Sequence, residues 1–222
     1  MLKSHYNLTP DYKSKLFSVA KNFDHVVWLD SHKQSGEHGV EDVLVGLGKS
    51  SILTVKTGHA FSQLNQYLSG DKWAFGFLAY DLKNEVEGKL KSENHDGLGF
   101  PELCFFEPQV VIKIKGGTVE IQSSTTELLE QVSPEGIIAN LESNESTIVP
   151  EIKSRLSKEQ YIAQLKAIKE RIARGDVYEM NFCHEFYVEN CEIDPFSLHQ
   201  KLVKQSPTPF SSMVARIFDT PN

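Results

Sequence analysis

The stretch from Ser157 to Tyr187, SKEQYIAQLKAIKERIARGDVYEMNFCHEFY, restricts the fold more than any other part of the chain, because its local signals all specify one helix-turn-strand unit. Ser157 stands three residues before Gln160, so the hydroxyl caps a free backbone N–H while the Gln side chain reaches back, as in a capping box. Tyr161, Leu165, Ile168 and Ile172 then recur at helical spacing and form one apolar stripe, with Lys166, Lys169, Glu170 and Arg174 towards water. Glu170 and Arg174 are spaced for a favourable i,i+4 pair. Gly175 follows the last periodic residue, where a left-handed conformation ends a helix without a Cβ penalty. From Val177 the period becomes two. Tyr178, Met180, Phe182, His184, Phe186 and Val188 share one face, with Glu179, Asn181, Cys183 and Glu185 on the other. This spacing predicts a strand over 177–188 whose apolar face packs against another layer.

The rest of the chain reads as short apolar runs between turns. Strands are predicted near 25–30, 43–48, 51–56, 73–80, 102–107, 110–115 and 118–122, the last two joined by Gly116-Gly117, which suits a two-residue type I′ turn. Trp73 to Asp81 reads as a continuous aromatic strand buried on both faces, with Gly76 where another backbone or ring comes close. Helices are predicted over 11–23, 61–68 and from Asp194-Pro195 through Val203. Residues 123–150 are rich in Ser, Thr, Glu and Pro, with one amphipathic piece from Leu128 to Leu141, and read as a linker. Hairpins outnumber alternating strand-helix units. The expected fold class is therefore α+β, with layered antiparallel sheets and outer helices. The expected division is an N-terminal domain with its linker over 1–150 and the start of a second domain over 151–222.

Composition removes several function classes. With 23 basic against 30 acidic residues and a net charge of −7, there is no basic stripe, so neither nucleic acid nor an anionic membrane is expected as a partner. Anionic small molecules held in a local pocket are compatible with it. Cys104, Cys183 and Cys191 are odd in number and never C-x-x-C, which suggests buried or half-buried thiols in a reducing compartment. The N-terminal residues have no apolar signal core, and no run approaches the length of a membrane helix, so a cytoplasmic protein is expected. Gly48-Lys49-Ser50 is no phosphate loop, since Val43 stands where that motif needs glycine. His25, His32, His38 and His59 lack metal-ligand spacing, and no metal-binding residue is assigned.

Four segments carry a resemblance. GDVYEMNFCHEF resembles the segment that opens the chorismate-binding domain of the chorismate-utilising enzymes, departing from it at Glu179, where the family usually carries Gln. WAFGFLAYD, residues 73–81, is similar to an aromatic strand of the same family's N-terminal domain. VVWLDS, ending at Ser31, together with Ser206-Pro207-Thr208-Pro209-Phe210-Ser211, resembles the two walls of a pocket that holds free tryptophan in anthranilate and aminodeoxychorismate synthases. Read from the residues alone, Ser31 is equally a strand-end serine capping its own turn.

The resemblance implies an N-terminal portion of a chorismate-aminating synthase component I. The Pro-Phe-Ser form and the run Tyr80 to Glu87 are closer to the aminodeoxychorismate (para-aminobenzoate, folate) branch; the anthranilate branch is the alternative, and a non-catalytic tryptophan-binding or glutaminase-docking module is another. It further implies chorismate as substrate, Mg²⁺ as cofactor of the full-length enzyme, and a glutamine amidotransferase subunit that supplies ammonia. The family's catalytic lysine and glutamates lie beyond the Pro-Phe-Ser loop, so no catalytic residue is assigned before Asn222. Residues 1–222 are expected to be an inactive, metal-free N-terminal piece of a longer enzyme. The tryptophan-pocket candidates are Ser31, Pro209, Phe210 and Ser211, which should converge in space. His38, Gly39, Val40 and Glu41 lack the aromatic and basic closure usual in the family, and Glu41 would repel a carboxylate, so tryptophan should bind weakly or not at all.

Overall fold

The architecture follows from strands whose alternate residues are apolar on both faces. The computed structural model describes residues 1–32, 42–56, 58–89, 96–137 and 150–215. Leu2–Asn7 (β1) leads into Tyr12–Ala20 (α1), then Val26–Asp30 (β2), Val43–Leu47 (β3) and Ser51–Val55 (β4). Ala60–Tyr67 (α2) precedes Phe75–Leu78 (β5), a 3₁₀ turn at Tyr80–Leu82 and Lys83–Val86 (α3). Leu103–Glu107 (β6), Val110–Lys115 (β7) and Thr118–Ser123 (β8) are followed by Thr126–Val132 (α4). Then come Lys153–Ser154 (β9), Lys158–Arg174 (α5), Phe186–Tyr187 (β10), Pro195–Gln205 (α6) and Ser211–Ala215 (β11). The fold is α+β, and all strand pairs among the described residues are antiparallel.

The chain forms two compact units, one of residues 1–143 with 195–222 and one of residues 144–194. The chain returns to the first unit at Pro195. In that unit a six-stranded sheet runs β1-β8-β7-β3-β2-β11 and a three-stranded sheet runs β4-β6-β5. One face of the large sheet, with Val26, Trp28, Val45, Ile112, Ile121 and Met213, packs on Leu16 and Phe17 of α1, Val132 of α4 and Phe196 of α6. Its other face, with Val27 and Val111, packs on Phe75, Cys104 and Phe106 of the small sheet. The period of two along β6 sends Leu103 the opposite way, into a third cluster with Ala60 and Leu82. Each such side chain fully buried is worth about 1.5–3 kcal/mol, so these three clusters hold the first unit together.

Glycine decides two close approaches, Gly76 between neighbouring strands of the small sheet and Gly46 between the two sheets. A Cβ on Gly76 would overlap the Cys104 carbonyl, and one on Gly46 would lie 2.8 Å from the Phe75 ring. The close approach predicted at Gly76 is thus present. Gly116 and Gly117 have φ of 54° and 86°, as a type I′ turn requires, and Lys115 pairs with Thr118 across it.

Several expectations are corrected. The aromatic strand is only Phe75–Leu78, with Leu78 half exposed, because the backbone turns into the 3₁₀ segment; in α3, which follows, Glu85 accepts from the Ala60 and Phe61 N–H groups at 2.8 and 3.3 Å. Residues 123–137 are not linker: α4 packs on the large sheet, Tyr12 donates to the Val132 carbonyl at 2.8 Å, and Val132 and Ile137 are buried. The end of the amphipathic piece, 138–141, lies outside the described residues. β1, a polar edge strand, was not anticipated.

In the second unit α5 begins and ends where the sequence says, with the reciprocal Ser157–Gln160 capping box and Gly175 left-handed at φ 80°. Arg174 turns to Asp176 at 2.8 Å rather than back to Glu170, since both ends of that pair flank the Gly175 cap. The strand predicted over 177–188 forms only at Phe186–Tyr187, paired with Lys153–Ser154. A period of two makes a ladder only where a neighbouring strand supplies the hydrogen bonds; the Arg155 N–H reaches the Glu185 carbonyl at 3.1 Å, and over 177–184 no strand pairing is present among the described residues. The predicted face survives in part: Phe182 and His184 lie 5.2 and 5.4 Å from Tyr161, and Phe186 lies 4.5 Å from His184.

Candidate functional site

The predicted site residues meet at one end of the large sheet. Strand β2 pairs with both β11 and β3, with Asp30 opposite Ser211 on one side and Val43 on the other. Ser31, one residue beyond Asp30, and Phe210, one before Ser211, therefore flank the same rung, and Pro209 continues the turn. The convergence predicted for Ser31, Pro209, Phe210 and Ser211 is thus a consequence of strand register. His38, Gly39, Val40 and Glu41 lie outside the described residues.

Backbone and side chain together fix Ser31. Its N–H and hydroxyl both donate to the Asp42 carbonyl, at 3.0 and 3.2 Å, closing the mouth of the β2–β3 connection. This is the turn-capping role that the residues alone allow, and it leaves the oxygen's lone pairs to accept. Phe210 has φ 60° and is 81% exposed, an unusual conformation for an aromatic residue and one that presents its ring to solvent. The turn thus combines a hydroxyl acceptor with an open aromatic face.

Behind Ser31 sits a charge cluster that the sequence motifs did not signal. Asp30 is 6% exposed; Lys13 of α1 reaches its Oδ2 at 2.7 Å, the His32 N–H donates to Oδ1 at 2.8 Å, and His32 Nδ1 stands 3.7 Å away. Burial opposes the charge on Asp30, but Lys13 and the His32 N–H together outweigh it and hold the carboxyl below its ordinary value. His199 of α6 stacks on Phe17 with centroids 5.9 Å apart; burial, then the like charge of His32, lowers its pKa, and Asp30 opposes them. His32 is left-handed at φ 48°, and its Nε2 is buried without a hydrogen-bond partner. A buried aspartate ending an apolar strand needs a cation, and that was the available signal. Lys13 and His199 come from helices distant in sequence, so no spacing could name them.

The arrangement suits binding rather than catalysis. Both Asp30 oxygens are engaged, and the Ser31 hydroxyl is committed to a carbonyl with no base receiving its proton, so neither is poised as a general base or nucleophile. In the second unit Ser154 Oγ donates to the Leu156 carbonyl at 2.6 Å, so at its 2.8 Å contact with His184 the serine accepts; this pair is no nucleophile either. Among the described residues no three His, Cys, Asp or Glu side chains form a metal-holding set. A groove of about 590 Å³, lined by His5, Tyr6, Asn7, Thr9, Thr118, Pro134 and Glu135, lies at β1, the opposite edge of the sheet, and contains none of the predicted residues. No helix among the described residues is long and apolar enough to cross a membrane.

Comparison with known proteins gives these features a family. The chain is 26% identical over 156 residues to anthranilate synthase component 1 of Cereibacter sphaeroides, a match covering 61% of this chain and 31% of that protein. It is 30% identical over 152 residues to anthranilate synthase component 1 of Buchnera aphidicola subsp. Pemphigus spyrothecae, covering 61% and 28%. The chain thus spans about a third or less of the length of these relatives. The family profile described as chorismate binding enzyme matches residues 8–217, nearly from end to end, and the chain belongs to that family.

Proposed function

We propose that this chain is the N-terminal portion of a component I synthase that aminates chorismate, of the anthranilate synthase kind. The observation that carries this reading is the pair of relatives above, both named anthranilate synthase component 1, within a family match that runs almost the whole chain. It moves the preference away from aminodeoxychorismate synthase, which the sequence motifs favoured. That branch stays as the second reading on one observation, the Pro209-Phe210-Ser211 turn beside Ser31, whose Phe-Ser form resembles the aminodeoxychorismate type. In either branch chorismate is the substrate, ammonia comes from a glutamine amidotransferase partner, and Mg²⁺ serves the complete enzyme in the cytoplasm. The 1–150 segment would be the N-terminal domain and 151–222 the opening of the chorismate-binding domain.

In this reading the Ser31–Phe210 turn is a tryptophan subsite. Phe210 offers a face to the indole, and Ser31 Oγ accepts from a donor on the ligand. The segment His38 to Glu41 carries none of the aromatic and basic residues usual in the family, so calorimetry should give weak tryptophan binding or none.

The test is product identity. The polypeptide carrying this sequence together with a complete chorismate-binding domain is incubated with chorismate, ammonia and Mg²⁺. Fluorescent anthranilate is the expected product; 4-aminobenzoate appearing only after addition of a lyase selects the second branch, and chorismate left unconsumed overturns both. Residues 1–222 alone should leave chorismate untouched, since the positions tied to catalysis by the resemblance have no counterpart in them.

A further inference from the structure

The groove at β1 lies between two walls that the fold itself fixes. One wall is the end of β1 and the entry to α1, where the Leu8 N–H donates to the Gly117 carbonyl at 2.8 Å and the Tyr12 N–H to the Thr9 carbonyl at 3.2 Å. The other is the turn that follows α4. Its ends are pinned by buried Val132 and Ile137; between them Ser133 Oγ accepts from the Gly136 N–H at 3.0 Å, and the Ile137 N–H donates to the Ser133 carbonyl at 3.0 Å. A Cβ on Gly136 would overlap the Glu130 carbonyl, so this turn admits only glycine there. Tyr12 ties the walls together, since its buried ring carries the hydroxyl that donates to the Val132 carbonyl at 2.8 Å. Pro134 and Glu135 are thus presented to β1 on a rigid support, across about 590 Å³, a volume ordinary for a small-ligand site.

The polar atoms of this groove are weighted towards acceptors. Thr9 commits its hydroxyl proton to Asp11 Oδ1 at 3.1 Å and Thr118 commits its own to the Lys115 carbonyl at 2.8 Å, so each has only lone pairs left to offer a ligand. Glu135 brings a carboxylate with no hydrogen bond or ion pair among the described residues. Neighbouring lysines are engaged elsewhere: Lys15 holds Asp11 at 2.6 Å, and Lys113 holds Glu120, the residue opposite His5, at 3.4 Å. His5 and Asn7 can serve either polarity. Two acceptor hydroxyls and an unpaired carboxylate call for a ligand that donates. A bare metal ion does not suit them, because it needs several anionic or imidazole ligands and no such set of three gathers among the described residues. We propose that the groove binds a small organic cation, an ammonium or guanidinium whose N–H groups donate to Glu135 and to the Thr9 and Thr118 hydroxyl oxygens. The net charge of −7 favours its approach. The site lies at the opposite edge of the sheet from the Ser31–Phe210 turn and does not depend on the chorismate reading.

Agmatine, which carries a guanidinium and an ammonium on a short chain, is the probe, titrated into the isotope-labelled chain and followed by amide chemical shifts. The signals of His5, Asn7, Thr118 and Glu135 should move together along one saturable curve, while neutral N-butylurea leaves them in place. Glu135→Gln should weaken agmatine binding about fivefold, the worth of one exposed ion pair, and Thr118→Val should weaken it as well. Glu170→Gln, which removes the same charge from α5 in the second unit, should leave the affinity unchanged. Signals of β3 and β7 that stay at their wild-type positions show that each variant is folded. Shifts that remain linear and spread over acidic residues in general, or no shift at all, overturn the site. Equal binding of N-butylurea overturns the cationic class of ligand, and an affinity untouched by Glu135→Gln overturns the assignment of its carboxylate.

Discussion

Replacing Lys13 with methionine leaves the Asp30 carboxylate 6% exposed with one oxygen stripped of its 2.7 Å partner, while the methionine keeps most of the apolar stem. Removing one member of a buried pair costs about 3–5 kcal/mol, but Lys13 is 40% exposed and solvent already screens part of its attraction, so about 2–3 kcal/mol is expected. For a chain of this size that lowers the melting temperature by roughly 5–10 °C. The pH dependence gives a sharper test. In the native protein the Asp30 pKa is depressed in the folded state, so its contribution is present above the unfolded value, about 3.9, and is lost as pH falls through the lower folded value. Without Lys13, burial is opposed mainly by the His32 N–H; the folded pKa rises, and the deficit relative to wild type is largest near neutrality and shrinks as acid protonates Asp30. Urea unfolding at about pH 7 and about pH 4 measures both quantities. A deficit under about 0.5 kcal/mol at neutral pH, which is the range of an ordinary surface substitution, would refute the reasoning. Equal deficits at the two pH values would refute it as well.

His199→Gln should flatten the stability profile between about pH 7.5 and 5.5, because the folded pKa of His199 lies below its unfolded value of about 6.5 and the native protein loses stability as pH falls through that window. An unchanged slope in thermal melts would count against the cluster. Gly76→Ala should cost about 3 kcal/mol, since its Cβ meets the Cys104 backbone and not a side chain that can swing away; a cost below about 1 kcal/mol in urea unfolding would contradict the close approach of β5 to β6. Phe210→Gly should stabilise the chain by about 1 kcal/mol by relieving the left-handed aromatic while removing any tryptophan response; a loss of stability would show that the ring is held by packing.

What could be read from the sequence was local. The ends of α5 are set by Ser157, Gln160 and Gly175, groups that act within one turn, and the β7–β8 register is set by two glycines at positive φ. The meeting of Ser31 with Phe210 was legible through resemblance, and β-pairing supplied its cause. Longer-range features were hidden for physical reasons. The polar run LKSHYN becomes β1 because β8 presents an open edge, a property of the assembled sheet and not of those six residues. Residues 177–185 have strand periodicity without a strand because a ladder needs a neighbour. Lys13 reaches Asp30, and His199 comes under its charge, only after α1 and α6 have settled on the same face, so neither could be named from spacing.

Strand β2 lies inside the large sheet only because β11, from nearly the other end of the chain, covers its flank. During vectorial synthesis β3 is available soon after β2, whereas β11 must wait until the whole of residues 144–194 has left the ribosome. In that interval the N–H and C=O groups of Val-Val-Trp-Leu-Asp form a bare apolar edge of the kind that recruits strands from other chains. The charge of Asp30 at the end of that edge, beside the still unfilled place of Ser211, then serves as a gatekeeper against misassembly until the last strand arrives.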